Sequence, residues 1–251
     1  MPTLDVLPPI AVLAGGLATR MRPLTETVPK SMLEVAGEPF VAHQLRLFRR
    51  QGLSRVVLCL GHLSPAVEDF VGDGTSFGMS VTTSFDGEAP LGTAGALKKA
   101  AGLLGDVFWV VYGDSYLDID LKPIWDSFQA DGRPALMTVY RNENQWDKSN
   151  VLFRDGRIVT YDKNNIDPAM EHIDYGLLLL RRAVLDPIPL DKKTDLADVL
   201  SPLVRQKMVA DFEVKERFYE IGSHQGLRET EDYIRDVASA QGTLPPYSIR
   251  K

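Results

Sequence analysis

Two glycines stand just behind an apolar run in Leu13-Ala14-Gly15-Gly16-Leu17-Ala18-Thr19-Arg20, and Lys30 follows one short segment later. Paired glycines let backbone N–H groups come close to an anion and converge on it. Arg20 and Lys30 add fixed positive charge, so the stretch reads as a phosphate cradle. Two familiar phosphate loops are absent: no G-x-x-x-x-G-K-[ST] of the Walker type, and no G-x-G-x-x-G of dinucleotide-binding dehydrogenases. Asp114 follows an apolar strand and Gly113, at the sheet edge where open α/β folds place ligands. A carboxylate there suits Mg²⁺, which takes few protein oxygens and completes its shell with phosphate and water. Other chemistries find little support. His43, His62, His172 and His224 lack zinc-ligand spacing, a single cysteine, Cys59, excludes an internal disulfide, and no G-x-S-x-G elbow occurs.

These residues need a scaffold. A chain of 251 residues is one large domain or two small ones. With 28 basic and 34 acidic residues the net charge is −6, which argues against a general nucleic-acid or anionic-membrane binder. No apolar run approaches a membrane span, and the first residues carry no signal-peptide pattern, so a cytoplasmic protein is expected. Strand-like runs at Ile10–Leu13, Val56–Leu60, Met79–Thr83 and Val107–Tyr112 alternate with helical patterns at 40–51, from Ser64-Pro65, at 94–101 and after Asp120. Later segments differ: strands at 135–140 and 177–180, a hairpin across Asp155-Gly156, a strand at 212–214, a helix from Thr194-Asp195 and a last helix from Ser223. The expectation is an α/β, Rossmann-like, doubly wound mixed sheet, mostly parallel, with helices on both faces and a smaller, partly antiparallel substrate lobe. One domain covers 1–241, with a first part near 8–132 and a second part near 133–241. The tail 242–251 is expected to be flexible.

The run Leu13–Arg20, then Pro23-Leu24-Thr25 and Pro29-Lys30, resembles the signature of the sugar-1-phosphate nucleotidyltransferases. The likeness continues in order at Glu88–Gly95, Tyr112-Gly113-Asp114, Asp162-Lys163 and Tyr219-Glu220-Ile221-Gly222, covering residues 10 to about 233. The resemblance implies transfer of a nucleoside monophosphate from an NTP to a sugar 1-phosphate, with pyrophosphate released, for glycan or capsule precursors. By that likeness Arg20 and Lys30 are the catalytic cations. Leu13, Gly15, Gly16, Thr19, Glu88, Gly92 and Thr93 surround the nucleotide. Asn150, Asp162, Lys163 and Asp174 hold the sugar phosphate, and Asp114 and Glu220 hold Mg²⁺. The wording Leu91-Gly92-Thr93-Ala94-Gly95 is similar to that of mannose and heptose 1-phosphate guanylyltransferases, so the lean is to GTP. Three positions depart from the pattern: Ala18 for glycine, Glu220 for aspartate and Asp174 for asparagine. A non-catalytic sensor of the same fold, and an enzyme using a non-sugar phosphate monoester, are the alternatives. A homo-oligomer is left open.

Overall fold

The computed structural model describes residues 7–16, 18–61 and 63–240. The expected tail at 242–251 lies outside them. In chain order the elements are β1 (Ile10–Ala14), β2 (Glu34–Val35), β3 (Glu38–Pro39), α1 (Phe40–Arg50), β4 (Arg55–Leu60), α2 (Ser64–Val71), β5 (Ser80–Phe85), α3 (Gly92–Ala100), β6 (Val107–Tyr112) and β7 (Ser115–Tyr116). Then follow α4 (Lys122–Asp131), β8 (Ala135–Arg141), β9 (Val151–Arg154), β10 (Arg157–Tyr161), β11 (His172–Arg181), α5 (Leu196–Arg205), β12 (Val209–Val214), β13 (Tyr219–Glu220) and α6 (His224–Ala240).

Nine strands form one sheet in the order β10-β9-β11-β6-β1-β4-β5, with β8 on β11 and β12 on β8. The half containing β6, β1, β4 and β5 is parallel. β11 runs antiparallel to β6 and begins the mixed half. Strand period two explains the two cores. Val12, Leu58 and Val111 point to the face covered by α1, α2 and α4. Ala11, Val57, Cys59 and Val110 point to the opposite face, under α3 and α5. α6 packs apart from both, with Ile234 against Met21, Phe40, Tyr116 and Ile221. Helices therefore cover both faces, as expected. No helix among the described residues is long and apolar enough to cross a membrane.

Several local expectations shift. α2 already includes Ser64, and Leu63, in a left-handed conformation, takes the cap position expected for the serine. β11 is longer than the expected 177–180, because Gly176 at φ 91° and an irregular register between Asp174 and Leu178 break its alternation. The segment 218–221 is not a strand of the main sheet. Its Tyr219–Glu220 pairs instead with Ser115–Tyr116 in a separate two-stranded ribbon. Asp195 caps α5 by accepting the Ala197 N–H, and the hairpin turns on Asp155 and Gly156, both at positive φ, as a two-residue loop requires.

Candidate functional site

β1 and β6 end side by side, and Gly113 lets them close up: a Cβ there would fall 2.8 Å from Ala14 Cα. Beyond these ends opens a cleft of about 470 Å³, lined by Leu13, Gly15, Gly16 and Thr19 of the first loop, Lys30, Gly92 and Thr93 of α3, and Asp114. The loop is latched from behind. The Ala18 carbonyl accepts from Thr25 Oγ1 at 2.8 Å and from the Met21 N–H at 3.0 Å, and Met21 is fully buried. Gly16 has open space where a Cβ would be. Thr19 and Arg20 are exposed, and Arg20 makes no ion pair or hydrogen bond among the described residues. Ala18 adopts φ 49°, the left-handed region that costs a side chain about 1 kcal/mol. Ala18→Gly is therefore expected to raise the denaturant midpoint, an effect that equilibrium unfolding measures directly. An unchanged or lower midpoint would mean the loop bears no such strain.

The structure brings Lys30, Asp114 and Glu220 together. Lys30 Nζ donates to Asp114 Oδ2 at 2.8 Å. Around the position of a Cβ on Gly222 lie Glu220 Oε2 at 2.6 Å, Asp114 Oδ2 at 3.1 Å and Lys30 Nζ at 3.5 Å. The ribbon brings them together: β13 pairs with β7 directly after Asp114, and Ile221 N–H donates to Asp114 O at 2.9 Å. Glu220 also accepts from the Gly222 N–H and from Ser223 Oγ at 2.6 Å, while Ser223 Oγ caps α6 by accepting the Gly226 N–H. Two adjacent carboxylates of hard oxygens fit a divalent cation that draws its other ligands from phosphate and water. Among the described residues no cluster of three or more His, Cys, Asp or Glu is placed to hold a metal. Gly226 makes room for this turn, since a Cβ there would lie 2.6 Å from Glu220 O and overlap its carboxylate. Gly226→Ala is expected to destabilise by about 1–3 kcal/mol through overpacking. Thermal unfolding measures it, and a neutral substitution would show that Glu220 moves away at no cost.

At the α3 end, two expectations change. The N–H groups of Ala94 and Gly95 are not open to a ligand, because both donate to Thr194 O, at 3.0 and 3.2 Å. Thr93 Oγ1 accepts the Leu196 N–H at 2.6 Å. Gly92, at φ 72°, admits this clamp, as a Cβ would meet Thr194 O at 2.6 Å. Glu88 is exposed and lines a neighbouring depression with Arg22 and Glu26, not the main cleft. At this end of the main cleft the carboxylate is Asp86, buried beside Gly15, with Oδ2 accepting the Leu91 N–H at 3.0 Å. Sequence reading missed it, although it stands at the carboxyl end of β5 as Asp114 stands at that of β6. Lys193, exposed at the rim, was also missed. Cys59 forms part of the cleft wall, and burial pushes its thiol up to about 12.

Burial raises the Asp86 pKa above the ordinary aspartate value, against the Leu91 N–H and Lys99, which lower it. A raised carboxyl pKa means that stability falls as pH rises from the unfolded value through the folded one. Asp86→Asn is therefore expected to raise the Tm at neutral pH, with the gain vanishing near pH 3. An equal gain at both pH values would contradict this.

On the sugar side, Lys163 is half-buried and its Nζ donates to Tyr112 Oη at 3.1 Å. Burial opposes its charge, yet Tyr112 and Asp174 raise its pKa overall. Asp174 does not open onto the cleft; its side chain is 2% exposed. Asn150 Oδ1 accepts the Asp174 N–H at 2.9 Å. Asp162 turns onto its own loop, accepting the N–H groups of Asn164 at 2.8 Å and Asn165 at 2.9 Å. Of the four expected residues, Lys163 has Asp174 beside it at 3.9 Å, Asn150 holds Asp174, and Asp162 stays on its own loop. Trp146 stacks on the Arg217 guanidinium, 3.3 Å from its ring centroid, and so ties its loop to the segment leading into Glu220.

The chain matches the family model described as nucleotidyl transferase over residues 10–236. It is 30% identical over 207 residues to a UTP–glucose-1-phosphate uridylyltransferase of Synechocystis, covering 76% of this chain and 53% of that one. It is 29% identical over 243 residues to a mannose-1-phosphate guanylyltransferase of Mycobacterium tuberculosis, covering 95% and 66%. The chain thus spans about half to two-thirds of the length of these relatives. In fold it is similar to a putative glucose-1-phosphate thymidylyltransferase from Bacillus anthracis, with TM-score 0.81, 19% identity and 96% and 97% of the two chains covered. It is also similar to the Yersinia pseudotuberculosis protein HddC complexed with GMP-PN, with TM-score 0.76, 23% identity and 91% and 100% covered. With the Gly15-Gly16 loop, Lys30 and the paired carboxylates at one sheet edge, and a family model spanning almost all of the described residues, the chain belongs to the nucleotidyl transferase family, that of the sugar-1-phosphate nucleotidyltransferases.

Proposed function

We propose that the chain transfers a nucleoside monophosphate from an NTP to a sugar 1-phosphate. The observation that carries this reading is the convergence of the Gly15-Gly16 loop, Lys30, Asp114 and Glu220 at the carboxyl ends of β1 and β6. A sugar phosphate oxygen attacks the α-phosphorus in line. The new P–O bond forms as the α–β anhydride bond breaks, and pyrophosphate leaves with the bonding electrons. The nucleophile is already an anion, so no general base is needed, and the site supplies alignment and charge stabilisation. Lys30 lies where it can hold the α-phosphate and the incoming phosphate. Arg20, on the loop's outer end, holds the departing pyrophosphate. Asp114 and Glu220 would hold Mg²⁺, which when bound neutralises phosphate charge and aligns the oxygens.

The lean to GTP gains support from Asp86. A buried carboxylate beside Gly15 presents only acceptors. Guanine offers adjacent N1–H and N2–H₂ donors to such a group, whereas uracil and thymine offer one N–H between two carbonyls. The test is a panel of four NTPs against several sugar 1-phosphates, read by pyrophosphate release with and without chelator. The expected result is turnover that requires a divalent cation and favours GTP. Silence across the panel with Mg²⁺ would move the protein to the sensor reading, and preference for a pyrimidine nucleotide would remove the role given to Asp86.

A further inference from the structure

We propose that Asp174 is a positioning residue that acts through Lys163, and that it does not touch the sugar. The inference rests on the function proposed above. Both carboxylate oxygens of Asp174 and its backbone N–H are engaged by the protein. Oδ1 accepts the Gly176 N–H at 3.1 Å, Oδ2 accepts the Tyr161 hydroxyl at 3.0 Å, and the Asp174 N–H is held by Asn150. Oδ2 also stands 3.9 Å from Lys163 Nζ. A carboxylate so thoroughly buried needs a compensating charge, and Lys163 is the cation beside it. The lysine in turn is framed by aromatic rings. Its Nζ lies 5.2 Å from the Tyr112 ring centroid and 5.8 Å from that of Tyr161, while donating to Tyr112 Oη.

An ammonium has three donors. Tyr112 takes one, Asp174 attracts the ammonium from 3.9 Å without a hydrogen bond, and the remaining donors are left for a phosphate oxygen. A lysine on a flexible stem is thereby aimed before substrate arrives, and pre-aiming lowers the cost of binding. Tyr112 also lines the main cleft next to Gly113 and Asp114. The frame therefore fixes where the sugar phosphate stands relative to the nucleotide. The uncharged asparagine expected by resemblance would supply no counter-charge at this position. In this chain aspartate turns the position from a sugar contact into a support for the lysine.

The test is a double-mutant cycle of Asp174→Asn and Lys163→Met, with GTP held fixed and α-D-mannose 1-phosphate and α-D-glucose 1-phosphate compared. Asp174→Asn is expected to raise KM for both sugar phosphates by the same factor, about tenfold, with kcat and the NTP KM little changed. In the Lys163→Met background it is expected to add nothing. Tyr161→Phe, which removes the hydroxyl holding Asp174, moves KM the same way by less and stands in if Asp174→Asn does not fold. A changed ratio between the two sugars, additive effects in the cycle, or no effect on KM would overturn the proposal. If the wild type turns over neither sugar phosphate, the failure lies with the proposed function. The role of Asp174 is then read by calorimetric titration of inorganic phosphate, which must weaken in Asp174→Asn and must not weaken further when Asp174→Asn is added to Lys163→Met.

Discussion

Arg20→Ala is expected to lower kcat by about 100- to 1,000-fold, the range seen when one charge-stabilising donor is removed from a transition state. The fold survives. Arg20 is exposed and has no partner among the described residues, and its loop is held instead by buried Met21 and by the bond from Thr25 to Ala18. Its effect on stability is expected to stay within about 0.5 kcal/mol, as for surface changes that break no contact. Arg20→Lys keeps the charge but loses the planar fork that matches phosphate oxygens, so it recovers only part of the rate. Steady-state kinetics and thermal unfolding on the same preparations check both halves. Near-normal turnover in Arg20→Ala would remove this loop from the chemistry.

Asp114→Asn acts on two partners at once. It removes the negative charge paired with Lys30, 2.8 Å away, and one of the two carboxylates around Gly222. The expected result is a divalent-cation requirement raised by at least 10- to 100-fold, the range for a disturbed metal environment, together with lower kcat at saturating metal. Stability changes little, because the Lys30–Asp114 pair is partly exposed and screened. Glu220→Gln raises the metal requirement as well, by less, since its carboxylate is shared with the Gly222 N–H and Ser223. Glu220→Asp keeps part of the activity. Titration of activity against Mg²⁺ separates these cases. Unchanged metal dependence in Asp114→Asn would leave that residue only its ion pair with Lys30.

The sheet was legible where burial on both faces writes continuous apolar runs: β6 matches its expected range, and β1 and β4 differ by a residue. β11 was half hidden, because Gly176 breaks its alternation and the polar His172 and Asp174 sit on its far half. That the Gly15-Gly16 loop, Lys30 and Asp114 line one cleft agrees with the sequence reading, because glycine pairs and local cations stand out in the sequence itself. Asp86 and the Thr194 clamp on α3 were not legible, since both depend on contacts across the fold that local spacing does not encode. Asp174 shows the limit most clearly. The resemblance put it among the residues that hold the sugar phosphate, while its burial, visible only in three dimensions, sets it beside Lys163. The strain at Ala18 was readable as a condition, that alanine costs energy if the position needs positive φ, and the structure supplies that φ.

The proposed reaction moves the nucleotidyl group, with its α-phosphorus, from the NTP to a sugar 1-phosphate. Parallel reactions with GTP labelled at the α- or the γ-phosphorus, Mg²⁺ and α-D-mannose 1-phosphate test it most directly. The account predicts that the α-label moves wholly into a nucleoside diphosphate sugar and the γ-label into pyrophosphate, both losses stopped by chelator. Appearance of the γ-label in the sugar product or as inorganic phosphate would mean a different bond is broken, and would contradict the account.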